Sequence, residues 1–87
     1  MFVILVYDAG AKRDPKILKI CRKYLTWVQN SVFEGELSEA KVKMLRKELE
    51  RVIHPADDYI IFYLWRSQRY SDRISLGTPK SDENDIW

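Results

Sequence analysis

The chain has 87 residues, of which 46% are hydrophobic and 32% are charged, and its formal net charge at pH 7 is +2. This composition is typical of one folded globular domain and excludes a disordered chain. With Cys21 as its one cysteine and His54 as its one histidine, the sequence excludes disulfides and thiolate zinc sites, so a bound metal ion would be held by oxygen atoms.

The first predicted element is a strand over residues 2–7, FVILVY, an apolar run rich in β-branched and aromatic side chains. This run is too short to span a membrane and no basic region precedes it, which predicts a cytoplasmic protein without a signal peptide. Asp14 and Pro15 are the predicted N-cap and first residue of an amphipathic helix. The outer face of this helix is basic, with Lys16, Lys19, Arg22 and Lys23. That basic excess favours a polyanionic partner.

The next stretch, LTWVQNSVFEGEL, predicts two short paired strands with a tight turn at Asn30 and Ser31. Ser38 is the predicted cap of a second helix that runs to about Val52, before Pro55 breaks the pattern.

DYIIFYLW, residues 58–65, predicts another apolar strand, and RISLG, residues 73–77, predicts a short fifth strand after the polar connection RSQRYSD.

This order of elements predicts an α+β, ferredoxin-like βαββαβ fold over residues 1–78, with a short extra strand near the C-terminus. Both helices would cover one face of the sheet and leave a face rich in aromatic side chains open. Such a face predicts a homodimer in which two sheets pack against each other. The polar tail, residues 79–87, ends on the apolar pair Ile86 and Trp87, which we expect to anchor it.

Asp8 ends the first strand, where an acid often does no more than start a turn. One carboxylate is a poor metal site, since Mg²⁺ usually takes one or two carboxylates plus water, and no second acid is spaced near Asp8 on an adjoining strand end. In a two-fold dimer each residue near the axis meets its own copy. Two Asp8 carboxylates could then share a divalent ion that relieves their repulsion and lowers the pKa of a bound water.

Lys12, Arg13 and Lys16 surround the start of the first helix, where free N–H groups and the helix dipole favour anions. They are candidates for binding phosphate groups of a nucleic acid, although an ordinary solvated helix face would carry the same residues. The DAGAK stretch has too few glycines for a nucleotide-triphosphate loop. NSVFEGEL also lacks the RNA-recognition motif of modules with this topology, so Phe33 is expected in the core or in an interface.

VYD at the end of the first strand, VQNSVFEG some twenty residues later and a second amphipathic helix together resemble the CRISPR-associated protein two family. The resemblance implies a ferredoxin-like homodimer whose fifth strand crosses to the partner's sheet. It implies that Asp8 binds Mg²⁺ or Mn²⁺ across the two-fold axis, one ion per dimer. It also implies a catalytic place for Tyr7 beside Asp8, and positions near the same cleft for Ser31 and Phe33.

Two functions follow from this resemblance. In the first, the protein is a metal-dependent endonuclease that cuts RNA or DNA, with Asp8 and Tyr7 at its centre. In the second, which we favour as the biological role, the dimer binds a DNA duplex and bridges two copies of the CRISPR integrase subunit during spacer acquisition, with no chemistry of its own. A related toxin-type ribonuclease is a further alternative.

Overall fold

Five strands and two helices make up the described part of the computed structural model, residues 1–67 and 70–79. In chain order the elements are β1 (Phe2–Asp8), α1 (Asp14–Tyr24), β2 (Thr26–Gln29), β3 (Val32–Glu36), α2 (Glu39–Val52), β4 (Tyr59–Ser67) and β5 (Tyr70–Gly77). The strands form one sheet in the order β2-β3-β1-β4-β5, and all neighbouring strands are antiparallel. The predicted α+β, ferredoxin-like order is confirmed, with β5 added beside β4.

Both helices pack on the same face of this sheet. Val3, Leu5 and Tyr7 alternate along β1 and lie in one buried cluster with side chains of α1 and α2. Because successive strand residues point to opposite faces, the residues between them belong to the helix-free face. Phe2, Tyr63 and Trp65 form an aromatic group there, with ring centroids 6.0 Å apart for Phe2 and Trp65 and 6.4 Å apart for Tyr63 and Trp65.

The two helices begin differently. The predicted cap of α2 is confirmed, since the Ser38 hydroxyl accepts a hydrogen bond from the Lys41 backbone N–H at 3.2 Å. The predicted cap of α1 is wrong: Arg13 occupies the N-cap position without a side-chain bond, and Asp14 is the first helical residue. The Asp14 carboxylate instead accepts a hydrogen bond from the Tyr7 hydroxyl, so a tertiary contact takes the place of a cap. Within residues 1–67 and 70–79, neither helix has the length and apolarity needed to cross a membrane.

The fifth strand is longer than predicted and pairs within its own chain. β5 spans eight residues, and its register with β4 runs from Tyr59 opposite Gly77 to Ser67 opposite Tyr70. Much of the stretch expected to be a polar connection is therefore strand, because an edge strand needs no continuous apolar pattern. The crossing of this strand to a partner's sheet, which the family resemblance implies, stays a prediction because the structure holds one chain. Ile86 and Trp87, and all of the tail from residue 80 onward, lie outside the described residues.

Gly77 ends β5 where two backbones come very close. Its φ is +87°, and a Cβ atom built on it would lie 1.8 Å from the carbonyl oxygen of Asp58. Just beyond it, the Thr78 N–H donates to the same oxygen at 3.0 Å. Only glycine combines this left-handed conformation with so close an approach.

We expect Gly77→Ala to destabilise the protein by about 3 kcal/mol, because the new methyl group must displace the Asp58 backbone in a strained conformation. Equilibrium urea unfolding measures this loss. Gly35→Ala is the matched control: its Cβ would lie 3.2 Å from the end of the flexible Leu25 side chain, so the loss should be much smaller. Equal losses in the two variants would contradict this explanation.

Candidate functional site at the end of β1

The end of β1 places two predicted site residues on opposite faces of the sheet. Tyr7 lies in the core on the helix side and is 3% exposed. Asp8 is the next residue of the strand, so it belongs to the helix-free face, where it is partly exposed. The structure therefore does not bring the Tyr7 hydroxyl and the Asp8 carboxylate into one site within a chain.

The Tyr7 side chain is held by its neighbours on the helix side. Its ring stacks on Phe33 with centroids 6.3 Å apart, and its hydroxyl forms hydrogen bonds with Asp14 and Ser31. Burial and the nearby Asp14 charge raise the pKa of Tyr7 to about 12. A phenol of such high pKa is poorly matched to proton transfer near neutral pH. These contacts suit Tyr7 to positioning the end of β1 more than to chemistry.

Ser31 and Phe33 belong to the same helix-side arrangement as Tyr7. The Tyr7 backbone N–H donates to the Ser31 carbonyl oxygen at 3.1 Å, which extends the pairing of β1 with β3 toward the turn. Phe33 is fully buried in the core, which is one of the two environments expected for it from the sequence. Both residues thus contact the end of β1 on the helix side of the sheet, opposite the face on which Asp8 lies.

Asp8 lies opposite Tyr59 in the register of β1 with β4. Residues 1–67 and 70–79 contain no group of three or more His, Cys, Asp or Glu side chains that could hold a metal ion. Within the described part of one chain, Asp8 thus belongs to no such group. Because Mg²⁺ can be held by one or two carboxylates with water, a second Asp8 from another copy would be enough to build a site.

Asp58 is the residue that sequence reasoning missed. It directly precedes β4, next to Tyr59, so the expectation that no acid lies near Asp8 on an adjoining strand end was wrong. Its side chain does not join Asp8, however. Asp58 is fully buried, and its carboxylate accepts from Arg13 Nε at 2.5 Å, the His54 N–H at 2.7 Å and the Gly10 N–H at 3.1 Å.

These donors determine the ionisation of Asp58. Burial by itself raises the pKa of the carboxyl, but the hydrogen bonds from Arg13, His54 and Gly10 outweigh it and hold the pKa below its ordinary value. The carboxylate therefore joins the loop after β1 to the loop before β4. No local pattern in HPADD distinguishes this buried acid from its exposed neighbour Asp57; the one available signal is its place directly before an apolar strand.

The three predicted phosphate-binding residues are separated by this arrangement. Arg13 is committed to Asp58, with its side chain 25% exposed. Lys12 and Lys16 are exposed on the loop and first turn of α1. Lys12 and Lys16 thus face solvent beside the end of β1. Arg13, which lies between them in the sequence, fixes the loop after β1 through Asp58.

The fold and this site define a class of small ferredoxin-like proteins with a carboxylate at the end of the first strand, on the helix-free face. The family model of CRISPR associated protein Cas2 matches residues 1–73. The chain belongs to the Cas2 family.

Several relatives match the chain over nearly its whole length. The CRISPR-associated endoribonuclease Cas2 of Dictyoglomus turgidum is 48% identical over 86 residues, which cover 99% of each chain. The protein of the same name from Thermotoga maritima is 48% identical over 87 residues and covers all of both chains. A crystal structure of a Cas2 protein matches with a TM-score of 0.74 and 38% identity over 93% of this chain and 91% of that chain. The crystal structure of Streptococcus pyogenes Cas2 matches with a TM-score of 0.69 and 34% identity over 75% of this chain and 86% of that chain.

Asp58→Ala should lower the free energy of unfolding by about 3 kcal/mol, because it removes a buried carboxylate and orphans its donors. Asp57→Ala is the matched control: Asp57 is exposed and bonded to His54, so its loss should cost no more than about 0.5 kcal/mol. Chemical unfolding at pH 7 compares the two variants. Similar values would contradict the anchoring role of Asp58.

The contribution of Asp58 should also depend on pH. Because its pKa is lower in the folded protein than in the unfolded chain, its stabilisation is complete above the unfolded-state pKa and is lost as the pH falls through the folded-state pKa. The stability difference between the wild-type protein and Asp58→Ala should therefore shrink in acid. A difference that stays constant down to pH 2 would contradict the lowered pKa.

Proposed function

We propose that two copies of this chain form a sheet-to-sheet homodimer that binds nucleic acid in CRISPR adaptation and cleaves phosphodiester bonds with a divalent metal ion. The observation that carries the proposal is the position of Asp8. It lies on the helix-free face, partly exposed, at the end of a strand whose other side is fixed by the core. The Dictyoglomus turgidum and Thermotoga maritima relatives are named endoribonucleases, which supports RNA as one substrate.

In this proposal Asp8 and the partner subunit's Asp8 hold one Mg²⁺ or Mn²⁺ ion. Such an ion, when bound, lowers the pKa of a coordinated water and screens the charge of a phosphate group. The chain's own contribution is positional. Tyr7, fixed by Phe33, Asp14 and Ser31, holds the end of β1 rigid, so that Asp8 keeps a constant orientation toward the partner.

The homodimer is supported by the aromatic group on the helix-free face. Trp65 is 37% exposed and packs with Phe2 and Tyr63, so the face offers large apolar side chains beside Asp8's own strand. A small domain gains stability by covering such a surface. The aromatic group lies at the Phe2 end of β1, so the partner must cover this face along the whole of β1 to bring the second carboxylate to the first.

Nucleic acid is proposed to run past the start of α1. Lys12 and Lys16 are exposed there, and Lys19, Arg22 and Lys23 continue the positive charge along the helix. This charge also favours the second candidate function, a scaffold that binds DNA and bridges integrase subunits without cleaving the DNA. It is equally compatible with a protein that has both functions. The proposed setting of both is the cytoplasm.

Asp8→Asn should abolish divalent-dependent cleavage of RNA or DNA while dimerisation and nucleic-acid binding persist, because the amide keeps the shape but loses the charge that holds the ion. Cleavage is followed on labelled strands with Mg²⁺ or Mn²⁺, and the mass of the complex is measured by light scattering. Asp57→Asn, the same change at an exposed acid in the loop after α2, should cleave normally. Cleavage that survives in Asp8→Asn would contradict the assignment.

Lys12→Ala with Lys16→Ala should weaken nucleic-acid binding and reduce its salt dependence. Removing one lysine–phosphate interaction lowers the slope of log K against log salt by about 0.9 on duplex DNA, so the double variant should lower it by up to about 1.8. Arg13 is left unchanged because it holds Asp58. The control, Lys41→Ala with Lys43→Ala, removes two exposed cations from α2. An unchanged slope in the Lys12 and Lys16 variant would remove the start of α1 from the interface.

A further inference from the structure

The five described strands contain two basic residues, and these lie on opposite faces of the sheet. Arg66 in β4 belongs to the helix side, where its Nε atom is 3.8 Å from a carboxylate oxygen of Glu39 in α2. Arg73 in β5 lies opposite Tyr63 in the register and so shares the helix-free face with it. Arg73 is therefore the one cation that the described strands place on the face of Asp8.

Two tyrosine side chains hold Arg73 on this face. The Arg73 Nη2 atom donates to the Tyr59 hydroxyl at 2.7 Å, and the guanidinium also hydrogen-bonds the Tyr63 side chain. Desolvation lowers the pKa of the Arg73 guanidinium, but these hydrogen bonds outweigh it and raise that pKa above its ordinary value. A hydroxyl accepts a hydrogen bond without carrying a formal charge, so neither of these contacts cancels the positive charge.

The hydrogen bond to Tyr59 directs this charge toward the end of the sheet at which Asp8 lies. Arg73 is opposite Tyr63, but its guanidinium reaches Tyr59 at the start of β4, and Tyr59 is directly opposite Asp8. Neighbouring strands are about 4.8 Å apart, so β1 and β5, on either side of β4, are about 10 Å apart. The Arg73 guanidinium and Asp8 thus lie on one face, with Tyr59 between their strands.

Arg73 is accessible from the edge of the sheet. β5 is an edge strand, two positions away from the β1 strand that the proposed partner must cover, and Arg73 is exposed. Sheets that pack face to face are about 10 Å apart, which is too narrow for a nucleic-acid duplex. A single strand that enters from the β5 edge passes Arg73 before it reaches Asp8. Because every nucleotide carries a phosphate, a strand held at Asp8 brings neighbouring phosphates toward Arg73.

We infer that Arg73 binds a backbone phosphate of a single nucleic-acid strand that lies beside Asp8. The guanidinium offers paired N–H donors that match the oxygens of a phosphate group. The inference rests on the proposed function only in that nucleic acid must reach the helix-free face. Arg73 would bind and orient this strand, whereas Lys12 and Lys16 contact nucleic acid at the start of α1.

Binding without metal tests this contact. The probe is a fluorescein-labelled single-stranded RNA, and its anisotropy is followed in EDTA at several salt concentrations. Arg73→Ala should weaken binding about tenfold and lower the slope of log K against log salt by about 0.7, the value for one phosphate contact on a single strand. Arg73→Lys should keep the slope because it keeps the charge. Arg66→Ala, the matched control on the helix side, should leave affinity and slope unchanged.

An unchanged slope in Arg73→Ala, or an equal loss in Arg66→Ala, would overturn the inference. Light scattering checks that the effect of Arg73→Ala on binding is direct. We expect the variant to have the same mass in solution as the wild-type protein. A lower mass would also overturn the inference, because Arg73 would then serve the contact between subunits and not a phosphate.

Cleavage kinetics separate this inference from the proposed nuclease activity. Arg73→Ala should raise KM about tenfold and change kcat by less than about twofold, since a phosphate away from the scissile bond is bound equally in the substrate and transition-state complexes. A wild-type protein that does not cleave, but whose RNA binding depends on Arg73, would refute the nuclease and support this inference. Cleavage that Asp8→Asn abolishes, with RNA binding independent of Arg73, would do the reverse.

Discussion

The hydrogen bonds of the buried Asp58 carboxylate are the constraint that positions the end of the sheet at which Asp8 lies. Asp58 accepts hydrogen bonds from Gly10 and Arg13 in the loop after β1 and from His54 in the loop after α2. Its carbonyl oxygen also receives the chain as it leaves β5. Three connections are thereby fixed around one residue. The end of β1, the start of α1 and the beginning of the tail all take their positions from it.

Because successive side chains of a strand point to opposite faces of the sheet, the last two residues of β1 lie in different surroundings. Tyr7 points into the core, where Phe33 and Asp14 hold it, and Asp8 points to the helix-free face. A rigid support on one side and a partly exposed carboxylate on the other suit the proposed metal ion shared by two subunits. Arg13, by contrast, holds Asp58, so the proposed phosphate contacts fall to its exposed neighbours Lys12 and Lys16.

The sequence predicts the elements well, because β1 and β4 are strongly apolar and Ser38 is a good cap. The features that depend on tertiary contacts are the ones that the sequence predicts wrongly or misses. Asp14 satisfies cap statistics, yet its carboxylate bonds Tyr7 across the fold. The first three residues of β5, which the prediction left in the polar connection, carry no apolar run, and their place in the strand follows from its pairing with β4. Asp58 carries no local signature, since its importance lies in donors that are up to 48 positions distant in sequence.

The central claim is that one metal ion is shared by two Asp8 carboxylates, and its stoichiometry tests that claim most directly. Titration of the wild-type protein with Mn²⁺, followed by electron paramagnetic resonance of the free ion, counts the ions bound tightly per chain. We expect one ion for two chains. One ion bound per chain would contradict the shared site, because each Asp8 would then hold its own metal without the symmetry partner.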